Sequence, residues 1–236
     1  MAGLMNTNFW LLAPPQNQKR ATLAEVTKLE QIICPADENH RRGGRRLGDV
    51  RATIDPNGIK DFTWTWQRDI LASEHLLDVF LKHRVSGYEI RPTVVSHSKR
   101  YAEKAPALYE LITTGWGGMA SNAAGLKVRD TCEACKYRDY TIADPTRLID
   151  PASWDGSDLF IVWPLPLYRF ASDRLAGILR EEKITGMKLI PAAEIPFKAG
   201  NVASPGLLHM WMPASRARAL GDDSESTEGP CLRLAR

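Results

Sequence analysis

Two short segments of the chain distribute apolar and polar positions with the period of an amphipathic helix. The apolar positions follow the spacing i, i+1, i+3, i+4, which places them on one face of a helix. In the first segment they are Leu76, Leu77, Val79 and Phe80, and in the second Leu175, Ala176, Ile178 and Leu179. Ser73 and Ser172 precede the two segments and are typical N-cap residues. The pattern predicts two helices that start in the same way and bury their apolar faces.

Both helical segments belong to a longer stretch that recurs without a gap at an offset of 99 positions. Residues 72–92 read ASEHLLDVFLKHRVSGYEIRP, and residues 171–191 read ASDRLAGILREEKITGMKLIP. Each copy has an Ala-Ser start, a glycine that breaks the chain after the helix (Gly87 and Gly186) and a closing proline. Chance similarity between two amphipathic helices does not explain three shared features in one register. The sequence therefore predicts an internal repeat.

A strand precedes each predicted helix, since residues 61–66 and 158–163 are rich in β-branched and aromatic side chains. Each repeat unit, 61–92 and 158–191, thus reads roughly strand, strand or turn, helix, strand. A unit of this size is too small to bury its own apolar face, so the two units are expected to pack together. The predicted fold is α+β, with two similar strand-helix-strand lobes packed as one bilobed domain over residues 1–220.

The segments outside the repeat give weaker patterns. Residues 8–12 are strand-like, residues 23–33 have the pattern of a helix, and a loop rich in Arg and Gly follows. Between the units, residues 101–112 have the periodicity of a short helix, and residues 115–125 read as a loop of small residues. Residues 221–236 form a polar C-terminal tail whose acidic, Gly- and Ser-rich part is typical of disorder. We expect the N-terminal region to cover one lobe.

Composition and charge are those of an ordinary globular protein. Of the 236 residues, 44% are hydrophobic and 25% are charged, and the net charge of +3 is too small to imply a particular partner. The apolar run at residues 9–13 is far shorter than the apolar region of a signal peptide. No run reaches the roughly 20 apolar residues of a membrane helix. The expected location is the cytoplasm, with no membrane partner.

The cysteines raise the question of a metal site. Cys34, Cys132, Cys135 and Cys231 are too few and too irregular for a disulfide framework. Cys132 and Cys135 have the C-x-x-C spacing with which two thiolates hold one Zn²⁺, and a structural site needs two more ligands. Cys34, with His40 as the fourth ligand, can supply them. The alternatives are a pair of small buried residues without metal or a redox dithiol. The sequence leaves open whether a metal is bound.

Signals for other chemistry are weak. Residues 41–46 contain four arginines, which suits phosphate contact, but no nucleic-acid module or interleaved aromatic residue accompanies them. Residues 115–120 formally fit the dinucleotide pattern G-x-G-x-x-A, without the flanking strand and helix that this pattern requires. The chain has no GxSxG, HExxH or Walker motif, and its five histidines are scattered. We expect no enzymatic activity, no catalytic residue and no cofactor except zinc, if the cysteines hold it.

The order of the motifs resembles a known family. The run NFWL at residues 8–11, a first cysteine motif near Cys34, a unit ending in Val-Ser-Gly, a central C-x-x-C, and WDGSDLF at 154–160 followed by Ile-Thr-Gly at 184–186 look like the double-CxxCG immunity proteins. These are encoded beside bacterial polymorphic toxins. The resemblance covers most of residues 6–195. It implies a cytoplasmic antidote that neutralises an antibacterial effector, such as one delivered by type VI secretion and similar to nucleases of the restriction-endonuclease fold.

The resemblance implies stoichiometric binding of a cognate toxin, with no turnover and no direct contact with nucleic acid. The first CxxCG is reduced here to CPAD at residues 34–37, and the second lacks the glycine after Cys135. Many nuclease antidotes are acidic, whereas this chain is slightly basic, so we expect a shape-complementary surface with aromatic and Arg anchors. The candidate contact loops are residues 40–46 and 116–122. The alternative interpretation is a small zinc-containing nucleic-acid-binding protein.

Overall fold

The computed structural model describes residues 8–24, 29–96, 106–135, 137–195, 202–203 and 211–219. The polar tail predicted at 221–236 lies outside the described residues. The strands are β1 (Phe9–Ala13), β2 (Thr22–Leu23), β3 (Leu29–Ile33), β4 (Arg41–Arg46), β5 (Val50–Thr53), β6 (Phe62–Trp64), β7 (Ile70–Ser73), β8 (Tyr88–Ser96), β9 (Leu108–Thr113), β10 (Gly115–Met119), β11 (Lys127–Thr131), β12 (Arg138–Thr141), β13 (Leu159–Trp163), β14 (Arg169–Ser172), β15 (Lys188–Pro191) and β16 (Val202–Ala203). The α-helices are α1 (Glu74–Lys82), α2 (Asp173–Glu181) and α3 (Ala214–Ala219).

The described strands form two larger and two smaller sheets. The six-stranded sheet has the order β2-β5-β8-β9-β7-β6, and the five-stranded sheet has the order β10-β13-β14-β1-β15. Both sheets are mixed, because β5 pairs in parallel with β8 and β10 pairs in parallel with β13. Strands β11, β12 and β16 form a three-stranded sheet, and β3 and β4 form a hairpin. The predicted α+β class is confirmed.

Both predicted helices are present with the predicted caps and buried faces. The Ser73 hydroxyl accepts a hydrogen bond of 3.1 Å from the backbone N–H of Leu76, and Ser172 does the same for Leu175 at 3.1 Å. The buried residues of α1 and α2 are those of the two predicted stripes. Both stripes contribute to one core cluster, in which Phe80 is fully buried. The two helices therefore stabilise the same core.

Each unit is tied to the other by an aspartate at the start of a strand. Asp61, just before β6, accepts hydrogen bonds from Thr185 N at 2.9 Å and Thr185 Oγ1 at 2.6 Å. Asp158, just before β13, accepts from Ser86 N at 2.9 Å and Ser86 Oγ at 3.1 Å. Each aspartate also accepts a hydrogen bond from the N-cap serine of its own unit. The two units thus exchange equivalent contacts.

Gly87 and Gly186, the glycines that follow the two helices, lie beside these contacts between the units. Gly87 has φ +88° and Gly186 has φ +83°, in the left-handed region that favours glycine. A Cβ on Gly87 would lie 2.0 Å from the carbonyl oxygen of Leu159, and one on Gly186 would lie 2.2 Å from that of Phe62. Each glycine therefore allows the other unit's strand to approach its backbone closely.

Several predictions for the segments outside the helices are wrong. The pattern of residues 23–33 predicts a helix, but their described part belongs to strands β2 and β3. The Arg- and Gly-rich loop forms strand β4, the described part of 101–112 enters strand β9, and 115–125 begins with strand β10. Short apolar segments fit a helix or a strand by periodicity, and pairing with neighbouring strands decides between them.

The closing proline of the first unit is also placed differently. Pro92 lies inside β8 and does not end it. Strand β8 pairs with β9 up to Pro92 and with β5 from Thr93 onward. Because proline has no N–H, it is tolerated where a strand changes its partner.

An ion-pair cluster joins the C-terminal ends of α1 and α2. Glu182 Oε1 lies 2.7 Å from Lys82 Nζ and 2.6 Å from His83 Nε2. His83 and Glu182 lie 99 residues apart in the sequence. This separation equals the offset between the two units, so His83 and Glu182 are matching positions of the units and contact each other directly. The hydrogen bonds from Lys82 and His83 lower the pKa of Glu182 to about 2.

We expect the free energy of unfolding to fall as the pH is lowered through the acid range in which Glu182 protonates. The native-state pKa is depressed, so the stabilisation is present above the unfolded-state pKa of roughly 4.3 and is lost as the pH falls toward 2. Glu182→Gln should flatten this part of the profile, measured by urea denaturation from pH 7 to pH 2.5. Glu181→Gln, at an exposed neighbour, is the control. Identical slopes for the wild type and Glu182→Gln would contradict the assignment.

Candidate metal centre

Two hairpin turns bring three cysteines and a histidine together. Cys34 directly follows β3 and His40 directly precedes β4, while Cys132 and Cys135 lie in the turn between β11 and β12. One potential ligand atom from each residue lies within 4.8 Å of all the others. These are the four residues that the sequence offered as ligands. The cluster can hold a metal ion.

The distance between two of the sulfur atoms suits a shared metal. The Sγ atoms of Cys34 and Cys132 are 3.8 Å apart, whereas a disulfide bond is about 2.05 Å long. Two thiolates bound to a tetrahedral zinc ion at roughly 2.3 Å are separated by about 3.8 Å. The three cysteines of the cluster are free thiols.

The orientation of His40 also fits a ligand. Its Nδ1 atom is buried and has no hydrogen-bond partner among the described residues. Its Nε2 atom lies 3.4 Å from Asp37 Oδ2, and its ring stacks on Tyr137 with centroids 4.2 Å apart and planes 5° from parallel. A metal-bound histidine typically directs its second nitrogen to a carboxylate. The geometry therefore suits His40 Nδ1 as the ligand atom and Asp37 as its supporting carboxylate.

The protein environment affects the three thiols differently. Backbone hydrogen bonding from Cys135 and contact with His40 lower the pKa of Cys132. Burial opposes ionisation of Cys34, but hydrogen bonds, including one of 3.3 Å from Ala36 N, outweigh it and lower the pKa. Burial, together with the two neighbouring thiols, raises the pKa of Cys135 to about 11. A bound dication would favour the thiolate form of all three.

Three thiolates and one imidazole form a donor set that suits zinc. Four protein ligands fill a tetrahedral site and leave no position for a reacting water, as in structural zinc sites. When bound, zinc would join the β3–β4 turn to the β11–β12 turn. Sequence reasoning found the candidate ligands Cys34 and His40 but missed the residues that contact His40, which are Asp37 and Tyr137. The position of Asp37, where a second cysteine of the first CxxCG would stand, was the available signal.

The other sequence candidates lie elsewhere or play other parts. The four arginines of 41–46 belong to β4, which begins directly after the cluster residue His40. Residues 115–119 form β10, which pairs with β13. His75 Nδ1 lies 3.0 Å from Asp61 Oδ1. His97 and His209 lie outside the described residues. The structure thus assembles a cluster from the cysteine motifs and His40 only, within the ranges that it describes.

A cleft of about 680 Å³ lies beside β1 and includes Phe9, Trp10, Arg147 and Asp150 in its lining. Arg147 pairs with Asp144, with Nε and Oδ2 3.6 Å apart. Asp150 Oδ1 accepts a hydrogen bond from the backbone of the turn that follows it. Arg147 and Asp150 are thus each engaged with a group of their own loop.

None of the helices in the described ranges combines the length and apolar character needed to cross a membrane. Compared with protein-family models and with curated proteins, the chain matches no family and no curated protein. Its function is therefore inferred from the geometry of the cysteine cluster and from the order of the sequence motifs.

Proposed function

We propose that the protein is an immunity protein that binds and neutralises a cognate antibacterial toxin, and that its scaffold is stabilised by one zinc ion. The observation that carries the proposal is the convergence of the two cysteine motifs. These motifs define the resemblance to double-CxxCG immunity proteins, and they lie about 100 positions apart in the sequence. Cys34, His40, Cys132 and Cys135 nevertheless meet within 4.8 Å. The degenerate first motif retains a role through His40 and Asp37.

The zinc site in this proposal is structural. Its ligands lie in the turns of two hairpins, and its histidine is oriented by Asp37, 3.4 Å from Nε2. The free thiols of the cluster suit a reducing compartment, so we place the protein in the cytoplasm. There it would meet a nuclease effector, for example one from a type VI secretion system, and inhibit it by one-to-one binding without turnover.

The proposal includes a duplicated scaffold. The two strand-strand-helix-strand units have helices of nine residues each, with equivalent serine caps. Their contacts are exchanged in a two-fold manner, since Asp61 binds Thr185 and Asp158 binds Ser86. A pair of units that share one core forms a rigid support, from which surface groups can bind a partner with little loss of conformational entropy.

The test is a growth assay combined with purification. The product of the neighbouring gene is expressed with and without this protein, and the complex is isolated. We expect that the gene product alone stops growth, that co-expression restores it, and that inhibition in vitro is complete at one equivalent. A neighbouring product that neither binds the protein nor loses toxicity would refute the immunity function. Activity lost at far below one equivalent would refute stoichiometric inhibition.

A second candidate function is favoured by one observation. Strand β4, with four arginines in its six residues, begins directly after the cluster residue His40. A basic hairpin beside a zinc site suits a small zinc-containing nucleic-acid-binding protein. This alternative predicts binding of DNA or RNA that weakens steeply with salt. The immunity function predicts binding of the toxin instead.

A further inference from the structure

An exposed tryptophan lies at the tip of the first repeat unit. Trp66, in the turn between β6 and β7, is 62% exposed, which is unusual for the largest apolar side chain. The guanidinium of Arg20 lies over its indole ring, 5.1 Å from the centroid. Two positions later, Arg68 places its guanidinium 5.6 Å from the ring centroid of Tyr168. Exposed Leu167 adjoins Tyr168. We call these five residues the Trp66 surface.

The turn that carries Trp66 and Arg68 is held by several hydrogen bonds. Thr65 N donates to Asp69 O at 3.0 Å, and Arg68 N donates to Thr65 O at 3.1 Å. The Thr65 hydroxyl donates to Asp69 Oδ2 at 2.8 Å and accepts from Asp69 N at 3.0 Å. Arg68 has φ +69°, which non-glycine residues rarely adopt. Such conformations persist where the surrounding contacts over-determine them, and they concentrate at functional sites.

We propose that the Trp66 surface is the toxin-binding surface and that the toxin region it contacts carries carboxylates beside an apolar depression. The inference rests on the proposed immunity function. Trp, Tyr and Arg are the residues that most often dominate the energy of protein interfaces. Trp66 supplies the apolar anchor, and the two guanidinium groups of Arg20 and Arg68 complement negative charge. A rigid turn presents Trp66 and Arg68 with little ordering cost.

Two other occupants fit the surface less well. Single-stranded nucleic acids stack their bases on aromatic faces, but Arg20 already covers one face of Trp66 and Arg68 lies over the ring of Tyr168. A second copy of the chain would bring the same guanidinium groups against each other in a two-fold contact. A protein surface with carboxylates beside an apolar depression complements the guanidinium groups of Arg20 and Arg68 and accommodates the exposed side chain of Trp66.

The test measures the affinity of the neighbouring gene product for purified variants. Trp66→Ala should weaken binding by about 30-fold or more, as expected for an interface anchor. Arg68→Gly should weaken it by about tenfold and reduce its dependence on salt, whereas its melting temperature should stay equal or rise, because glycine adopts a positive φ freely. A purely structural role for Arg68 predicts a lower melting temperature instead.

The matched control is Arg180→Ala. Arg180 lies over the ring of Trp10, 4.2 Å from the centroid, so this change removes the same charge and the same kind of contact elsewhere. Its affinity should stay within about threefold of the wild type. If the wild type binds the product and both Trp66→Ala and Arg68→Gly bind it with unchanged affinity, the Trp66 surface is not the toxin-binding surface. The immunity function is not affected by that result. A wild-type protein that does not bind the product overturns both. If the wild type binds a single-stranded oligonucleotide and Trp66→Ala abolishes this binding, the Trp66 surface binds nucleic acid and the toxin assignment is overturned.

Discussion

Removal of the metal is expected to destabilise the protein strongly. We expect one zinc per chain in the purified protein, and we expect Cys132→Ser to lose it and to melt roughly 10 °C lower, corresponding to a loss of about 3–5 kcal/mol at this chain length. The physical reason is that the β3–β4 and β11–β12 turns would lose their shared metal and leave thiols crowded within 4.8 Å. Elemental analysis and thermal denaturation measure the two effects.

Three further variants make the metal assignment specific. His40→Cys should retain zinc, because four thiolates also form a tetrahedral site, whereas His40→Ala should lose it. Asp37→Asn should keep the stoichiometry and weaken zinc affinity by about 10- to 100-fold, as expected for a carboxylate that orients a ligand. Cys231→Ser is the matched control and should keep one zinc. A protein that retains zinc after Cys132→Ser, or loses it after Cys231→Ser, would contradict this ligand set.

The second large effect is expected at the two glycines where the units approach each other. Gly87→Ala and Gly186→Ala should each cost about 3–5 kcal/mol of unfolding free energy. The new Cβ would lie 2.0 Å or 2.2 Å from a backbone carbonyl oxygen of the other unit, and both positions have φ above +80°. Relief requires a shift of the backbone, because the nearest atom in each case is a main-chain oxygen. Urea denaturation at pH 7 measures the loss.

Two other glycines separate the contributions of space and backbone conformation. Gly156 has φ +84°, but a Cβ added there would meet nothing within 4 Å, so Gly156→Ala should cost only about 1–2 kcal/mol. Gly177 lies in α2 with open space around it, and Gly177→Ala should stabilise the protein by about 0.5–1 kcal/mol. If Gly87→Ala costs no more than Gly156→Ala, the close approach between the units does not limit the substitution.

The local pattern of the sequence was sufficient to predict the helices and their caps. Ser73 and Ser172 bond the N–H groups three residues on, and the predicted stripes are the buried faces. The same approach failed for residues 23–33 and 101–112, because the apolar positions of so short a segment can fit the period of a helix or that of a strand. The energy that selects strands there comes from pairing with other segments of the chain. Such pairing leaves no local signal.

The metal cluster was predictable in part for a similar reason. The spacing of Cys132 and Cys135 identifies one half of the site, because both ligands lie within a single turn. The match with Cys34 and His40 depends on how two hairpins meet, and only the structure brings these ligands together. The support of His40 by Asp37 is likewise a matter of orientation, which residue types alone do not specify. The Trp66 surface joins two turns through the contact between Arg68 and Tyr168, which are about 100 positions apart.

The separation of the metal ligands also has a consequence for the order of events during synthesis. Cys34 and Cys132 lie 98 positions apart, and chains emerge at roughly 5–20 residues per second. The N-terminal hairpin therefore holds half a site for about 5–20 s before the second pair of ligands emerges. The entropy of closing so long a loop delays the meeting further. Metal uptake at this cluster would thus be a late event in each new chain, and under the proposed immunity function a cell under sudden attack would depend on the molecules that it has already finished.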